Sequence, residues 1–152
     1  MLDEVAIKKN FSWDGEKFRG YMDIGNGYPE DDSSLIAKDA VVFMVVPLND
    51  SWEVPIAYFL INWLSGCERA NLVKVCIEKC HDVDVEIVSL TCDGPSCHFA
   101  MLSTVGANID LNQVKLYFTH PSDITRIIYA MLDICHMLKL VRNILDMYGS
   151  KY

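Results

Sequence analysis

The residue whose position most strongly suggests chemistry is Asp93, at the end of the apolar run VEIVSLTC (85–92). The run is rich in β-branched residues and predicts a largely buried strand, which Gly94 and Pro95 would end. An acidic side chain at the C-terminal end of a buried strand lies where α/β sheets place their chemistry. An ordinary aspartate that fixes a turn or caps the next helix would give the same pattern. The residues alone leave both interpretations open.

Two further acidic residues, Asp23 and Asp3, could complete a site with Asp93. Asp23 lies in the strand-like segment FRGYMDIG (18–25), and Asp3 lies in LDEVAI (2–7). Carboxylates that converge from separate strands can bind Mg²⁺, and two such ions about 4 Å apart can cleave a phosphodiester. That chemistry needs a third oxygen ligand as well. Two unrelated acids in turns at strand ends would look the same in the sequence.

Polar residues near the C-terminus have a functional and a structural interpretation. Asp133 lies between a predicted strand and a helix predicted over 135–149, so it could contribute to the edge of a site. We favour the interpretation that it is the N-cap of that helix. Lys139, Arg142 and Asn143 lie on the same helix at near-turn spacing and could contact phosphate, but a solvated helix face explains them better.

Six cysteines, three of them followed by histidine, raise the question of zinc. Structural zinc sites usually pair one C-x₂₋₄-C with a second close doublet. Cys76 and Cys80 are four apart on a predicted helix with apolar neighbours, so we expect both thiols to face the core. No signal peptide is apparent after Met1, and we expect reduced intracellular thiols.

Length and composition limit the classes of protein to consider. A chain of 152 residues, 51% of them apolar, suits a single folded domain over 1–152. Its net charge of −8 argues against a free-standing nucleic-acid-binding module but not against one domain of a larger nucleic-acid enzyme. No apolar stretch reaches membrane-spanning length. There is no Walker-type loop, no G-x-S-x-G motif and no Rossmann glycine pattern.

Alternating and helical apolar patterns predict the order of the elements. Strands are expected at 2–7, 18–25, 40–48, 52–61, 85–92 and 126–133, and helices at 65–83, 96–106 and 135–149. The segment VKLYF (114–118) could be extended, and 26–39 reads as a surface loop. Pro55 makes an edge or a bulge in its strand.

This order predicts an α/β fold in which antiparallel hairpins precede parallel strands in a mixed sheet flanked by helices. If the first segment is set aside, three antiparallel strands precede the first helix, which is the order of a ribonuclease-H-like fold. In such a sheet the first and fourth strands are neighbours. Asp23 would lie near the end of the first and Asp93 at the end of the fourth, so their carboxylates should meet.

Six motifs in order resemble the N-terminal part of the ribonuclease-H-like catalytic domain of P-element-type transposases, the family that includes THAP-domain transposases. They cover nearly the whole chain: DEVAI (3–7), GYMDIG (20–25), AVVFMVV (40–46), SWEVPIAYFL (51–60), LTCDG (90–94) and DICHMLKLVRN (133–143). Each motif alone is weak, but six at sensible spacing are specific.

The resemblance implies a DDE-type domain that cleaves DNA and transfers strands with Mg²⁺ or Mn²⁺. It implies that Asp93 is the second acid, and we choose Asp23 as the first because only that choice leaves three antiparallel strands before the first helix. Asp3 is the alternative. DNA, the GTP-binding insertion, the C-terminal ribonuclease-H part and a second copy are the implied partners, and the nucleus is the implied location.

The sequence also departs from the family. No zinc-coordinating DNA-binding domain or zipper precedes Asp3, and the third acid and the later part of the fold are missing. The segment after CDG is PSCH, where the family usually has Asn near the position of Cys97. We therefore expect an incomplete fold that is inactive in isolation. The alternative is a domesticated, non-catalytic interaction module that retained the fold.

Overall fold

The computed structural model describes residues 1–16, 18–25, 35–109 and 112–149. The elements found there are β1 (Leu2–Ala6), β2 (Ser12–Trp13), β3 (Phe18–Arg19), β4 (Asp39–Val45), β5 (Val54–Ile61), α1 (Gly66–His81), β6 (Ser89–Cys92), α2 (Ser96–Val105), β7 (Tyr117–Thr119), β8 (Ile127–Leu132) and α3 (Ile134–Gly149). The expected α/β class with a mixed sheet and helices is confirmed. Among the described residues, no helix has both the length and the apolar character needed to cross a bilayer.

The chain forms two compact units, Met1–Leu64 and Ser65–Tyr152. The first contributes the strands β5, β4 and β1 in that order, together with the separate hairpin of β2 and β3. The second contributes β6, β8 and β7 in that order, and it contains all three helices.

The first unit is built on three antiparallel strands. β1 pairs with β4 so that Leu2 faces Phe43, and β4 pairs with β5. Leu2, Val41, Phe43 and Ile61 are almost completely buried, so these strands carry the core of the unit. The register of β4 and β5 shifts where Met44 faces Pro55, which confirms the expected irregularity at that proline.

The segment expected as a strand over 18–25 is a strand only at Phe18–Arg19, and Asp23 forms a single bridge to Leu60 of β5. Gly20 has a φ of 108°, and a Cβ there would lie 1.8 Å from the carbonyl oxygen of Asn10. This left-handed backbone position interrupts a strand. The loop expected over 26–39 falls mostly on 26–34, which lies outside the described residues.

The premise that led us to choose Asp23 is therefore wrong. The three antiparallel strands before the first helix are β1, β4 and β5, so the first of them carries Asp3. Asp23 bridges β5, and both β5 and β4 separate it from β1 within this unit. Which strand is the first of the three depends on pairing between residues far apart in the chain, and the order of the elements along the chain does not show that pairing.

The second unit places the C-terminal ends of two parallel strands side by side. β6 and β8 are parallel, with Cys92 opposite Leu132, and β7 is antiparallel to β8. The backbone N–H of Asp133 donates a 2.8 Å hydrogen bond to the carbonyl of Cys92, which ties the two strand ends together. The core of the unit contains Phe118, Ile128, Met101, Leu102 and Val73.

Helices α1 and α2 lie where the sequence predicted them. Ser65 begins α1 in a capping box with Glu68, and Gly106 ends α2 in the left-handed region at φ 105°. The two helices contact each other closely at Gly66, where a Cβ would lie 2.5 Å from the Cβ of Ala100. Any larger side chain at Gly66 would therefore push the helices apart.

Candidate functional site

Asp93 lies between β6 and α2, directly after Cys92 and three residues before the helix begins at Ser96. Its side chain is 20% exposed, so it lies at the surface end of a buried strand. The N-cap of α2 is Pro95, and no side chain makes a capping hydrogen bond there. Asp93 is therefore not the helix cap that one interpretation of the sequence proposed.

The carboxylate of Asp93 is instead held by His98, from the first turn of α2. The His98 Nδ1 atom lies 2.6 Å from Oδ1 of Asp93 and 3.1 Å from the backbone oxygen of the same residue. The hydrogen bond to the backbone oxygen has the better direction, while Oδ1 is the nearer atom. The His98 side chain has no solvent exposure.

The chemistry of these partners fixes the tautomer of His98. A backbone carbonyl oxygen only accepts hydrogen bonds, and an ionised carboxylate does the same. Nδ1 therefore carries a proton and donates it to the backbone oxygen of Asp93, while Oδ1 lies nearby without a well-directed hydrogen bond. Oδ1 is enclosed, which leaves Oδ2 as the carboxylate oxygen that solvent or an ion can approach.

The cysteine that precedes the acid does not suit metal binding. Burial raises the pKa of the Cys92 thiol to about 12, with a smaller contribution from the nearby charge of Asp93. A thiol is a metal ligand only as the thiolate, and Cys92 is a neutral thiol at physiological pH. Of the neighbours Cys92 and Asp93, the carboxylate of Asp93 is therefore the one suited to bind an ion, and hard ions such as Mg²⁺ and Mn²⁺ prefer oxygen.

Asp133 is the N-terminal cap of α3, as the sequence predicted. Its Oδ1 accepts hydrogen bonds from the backbone N–H groups of Cys135 at 2.8 Å and His136 at 3.4 Å. Because the carboxylate is used in this way, Asp133 stabilises the start of the helix rather than reaching a ligand.

The two candidates for the first acid have different local settings within the first unit. Asp3 lies inside β1, opposite Val42, and its Oδ1 accepts from the N–H of Glu4 at 2.8 Å. Asp23 is exposed, and its Oδ1 accepts from the N–H of Gly25 at 2.9 Å. Asp23 therefore stabilises its own turn, in the manner of an Asx turn.

The remaining candidates have structural settings. Cys76 and Cys80 are buried on α1, which confirms that they face the core, and burial raises the pKa of Cys76 to about 11. Lys139, Arg142 and Asn143 are exposed on α3, as a solvated helix face requires.

Sequence reasoning missed His98. In the sequence His98 stands out only because it follows Cys97, as one of three histidines that follow a cysteine. The useful signal was its distance from Asp93: five residues span the end of a strand, a Gly-Pro turn and the first turn of a helix. With that spacing, the side chain of His98 can lie beside the end of the strand.

The chain belongs to the family described as TNP-like, RNase H N-terminal domain, whose model matches residues 1–106. It is 30% identical over 152 residues to the human protein named DNA transposase THAP9, covering 99% of this chain and 17% of that protein. Among solved structures, the Drosophila P element transposase strand transfer complex matches with a TM-score of 0.69, at 20% identity, over 93% of this chain and 27% of that one. These matches confirm the resemblance to P-element-type transposases and the ribonuclease-H-like fold.

Proposed function

We propose that this chain is the N-terminal part of the catalytic domain of a P-element-type transposase, with Asp93 as a ligand of the divalent ion used to cut and join DNA. The observation that carries the proposal is the carboxylate of Asp93 at the end of β6, with Oδ1 fixed by His98 and Oδ2 left for an ion. The similar proteins named as a DNA transposase and as a strand transfer complex support DNA as the substrate.

The first acid in this proposal is Asp3 rather than Asp23. In the fold that the family implies, the first acid lies on the first of three antiparallel strands, and that strand is β1 in this chain. Asp23 lies at a single bridge to β5, and its Oδ1 accepts a hydrogen bond from its own turn. The third acid would come from transposase segments outside this sequence.

The donor set fits Mg²⁺ or Mn²⁺. Carboxylate oxygens are hard ligands, and Mg²⁺ usually retains several waters while it binds one or two carboxylates. When bound, the ion would polarise the phosphodiester and lower the pKa of an attacking water or hydroxyl. The residues of this chain would hold the ion and orient the carboxylates. We also propose that residues 1–152 form a single domain.

A Mn²⁺ titration of ¹⁵N-labelled protein, followed by NMR, tests this proposal. Paramagnetic broadening should be strongest at the amides of Asp93 and Asp3 and weak at Asp23. The variant Asp3→Asn should weaken the broadening at Asp93, whereas Asp23→Asn should leave it unchanged. Broadening that is centred on Asp23, or no specific broadening at millimolar Mn²⁺, would contradict the assignment.

We also propose that further transposase segments pack on α3, whether they belong to the same chain or to another. This chain spans 17% of the length of the curated relative that it matches, so most of such a protein lies outside it. The helix exposes an apolar stripe that repeats every three or four residues: Ile134, Leu138, Val141, Leu145 and Tyr148. An exposed stripe of this kind is typical of an interface.

The same stripe favours a second function, that of a non-catalytic interaction module. In that case the protein would bind partners through α3 and would show no response to Mn²⁺. The titration separates the two functions, because an interaction module predicts silence at both Asp3 and Asp93. Either function, in our proposal, is exercised in the nucleus with DNA, the GTP-binding insertion or a second copy as partner.

A further inference from the structure

We propose that His98 is a positioning residue that orients the carboxylate of Asp93 for metal binding through Oδ2 alone. The inference rests on the proposed function of Asp93 and adds a residue that is not itself a ligand. It begins from a short contact: Nδ1 of His98 lies 2.6 Å from Oδ1 and 3.1 Å from the backbone oxygen of Asp93.

The imidazole is fixed before any ion arrives. Its side chain is fully enclosed, and the backbone N–H of His98 donates to the carbonyl of Pro95 at 2.9 Å in the first turn of α2. Helix α2 is in turn held against α1 where Gly66 meets Ala100. The donor therefore has one direction, set by packed helices rather than by solvent.

Because the donor is fixed, the two carboxylate oxygens of Asp93 have different roles. Oδ1 is enclosed and lies 2.6 Å from Nδ1, so the protein surrounds it. Oδ2 is the oxygen left for an ion, which makes Asp93 a monodentate ligand. Monodentate carboxylates suit Mg²⁺, whose octahedral shell tolerates little distortion. Groups that orient a ligand in this way typically contribute about 10–100-fold to metal affinity.

Gly94 permits this arrangement between the acid and the helix. It lies directly after Asp93, and a Cβ there would be 3.1 Å from the sulfur of Met137 on α3. The chain thus turns beneath α3 without a side chain, and the turn allows α2 to begin close enough for His98 to reach back.

The test compares His98→Leu, which removes the donor, with His98→Asn, whose amide nitrogen can take the place of Nδ1. Mn²⁺ affinity is measured by EPR of the free ion on the 152-residue chain, and folding is checked by ¹H–¹⁵N spectra. We expect His98→Leu to weaken binding by roughly 10–100-fold and His98→Asn to restore most of the loss. A folded His98→Leu with unchanged affinity would overturn the inference while the metal site itself stands.

A second measurement needs no metal and keeps the two proposals separate. The ¹⁵N shifts of the wild-type imidazole should show a protonated Nδ1, and the ¹³Cγ shift of Asp93 should move in His98→Leu and return in His98→Asn. An unprotonated Nδ1, or an Asp93 signal insensitive to His98, would overturn the positioning role. If these shifts behave as expected but the wild type binds no Mn²⁺, the contact is structural, and both the metal site and the role of His98 in it are refuted.

Discussion

Asp93 and Asp23 look alike in the sequence, but the structure uses them differently. Each lies at or near the end of a segment that the sequence predicts as a strand, and each has a glycine within two residues. The carboxylate of Asp23 accepts from the backbone N–H of Gly25, two residues away. The carboxylate of Asp93 contacts the enclosed imidazole of His98, which belongs to a helix.

This difference shows how a functional acid can be told from a turn acid. An Asx turn satisfies a carboxylate with its own backbone, so the acid needs nothing from the rest of the fold. An acid held by a buried side chain from another element has been given a fixed orientation, which is what metal binding requires.

The largest expected difference concerns divalent-metal affinity. Asp93→Asn retains an oxygen that can accept from His98 but removes the charge that attracts an ion. We expect Mn²⁺ affinity, measured by EPR, to fall by more than the roughly 100-fold typical of losing an outer-shell partner. Asp23→Asn is the matched control and should bind Mn²⁺ like the wild type. An equal loss in both variants would remove the distinction.

A substitution at the contact of α1 with α2 should change the environment of Asp93 and leave that of Asp23 unchanged. In Gly66→Ala the new Cβ would lie 2.5 Å from the Cβ of Ala100, so α2 must shift. Overpacking of this kind costs about 1–3 kcal/mol in the free energy of unfolding, measured with urea. Because α2 carries His98, the ¹³Cγ signal of Asp93 should move as well.

Asn71→Ala, at an exposed position of α1, serves as the control and should leave the free energy of unfolding within about 0.5 kcal/mol of wild type. If Gly66→Ala were as stable as this control, the close packing that fixes α2 would be disproved.

Truncation of each acid compares the two carboxylates without metal. Asp93→Ala leaves the enclosed N–H of His98 with a poorer set of acceptors, and such a loss costs about 1–3 kcal/mol. Asp23→Ala removes one bond of an exposed turn and should cost about 0.5 kcal/mol or less. Urea unfolding in the presence of EDTA measures both. A larger cost at Asp23 would reverse the contrast that we draw.

The second buried histidine, His120, predicts an effect of pH on stability. Its Nδ1 accepts from the backbone N–H of Ser122 at 3.1 Å, so the folded state favours the neutral ring. Burial lowers the pKa of His120, and the positive charges of the neighbouring His81 and of Arg126 lower it further, against the opposing effects of Asp123 and Glu78.

Because the folded pKa lies below the unfolded value of about 6.5, the unfolded state binds the proton first. Stability from His120 is therefore complete above about pH 6.5 and declines as the pH falls towards the folded pKa. In His120→Asn, which retains an acceptor but does not titrate, the stability profile between pH 5 and 7 should be flatter. An unchanged slope would show that His120 is not the responsible group.

The smallest effect on stability is expected on α3, where the apolar stripe is open rather than enclosed. Leu138 and Leu145 are each 64% exposed, so Leu138→Glu combined with Leu145→Glu should alter the free energy of unfolding by about 1 kcal/mol or less. The same change should clearly reduce binding of a hydrophobic dye and self-association. Asn143→Glu, also exposed on α3, is the matched control, and dye binding equal to that control would contradict the surface assignment.

Local signals in the sequence determined the helices and their ends. The sequence predicted the cap at Asp133 and the extent of α2 up to Gly106, and the structure adds the capping box of Ser65 and Glu68; each involves residues close together in the chain, because helix ends depend on neighbouring backbone groups. The ribonuclease-H-like class was also predictable, because the order of strands and helices restricts how a mixed sheet can be connected.

Tertiary structure alone decided which acids have which neighbours. Nothing local in LDEVAI or GYMDIG says that the first pairs with β4 while Asp23 of the second bridges β5. The contact of His98 with Asp93 depends in the same way on how α2 leaves the strand. Strand partners are chosen by burial and hydrogen bonding over the whole sheet, so residues with equivalent local patterns can receive unequal environments.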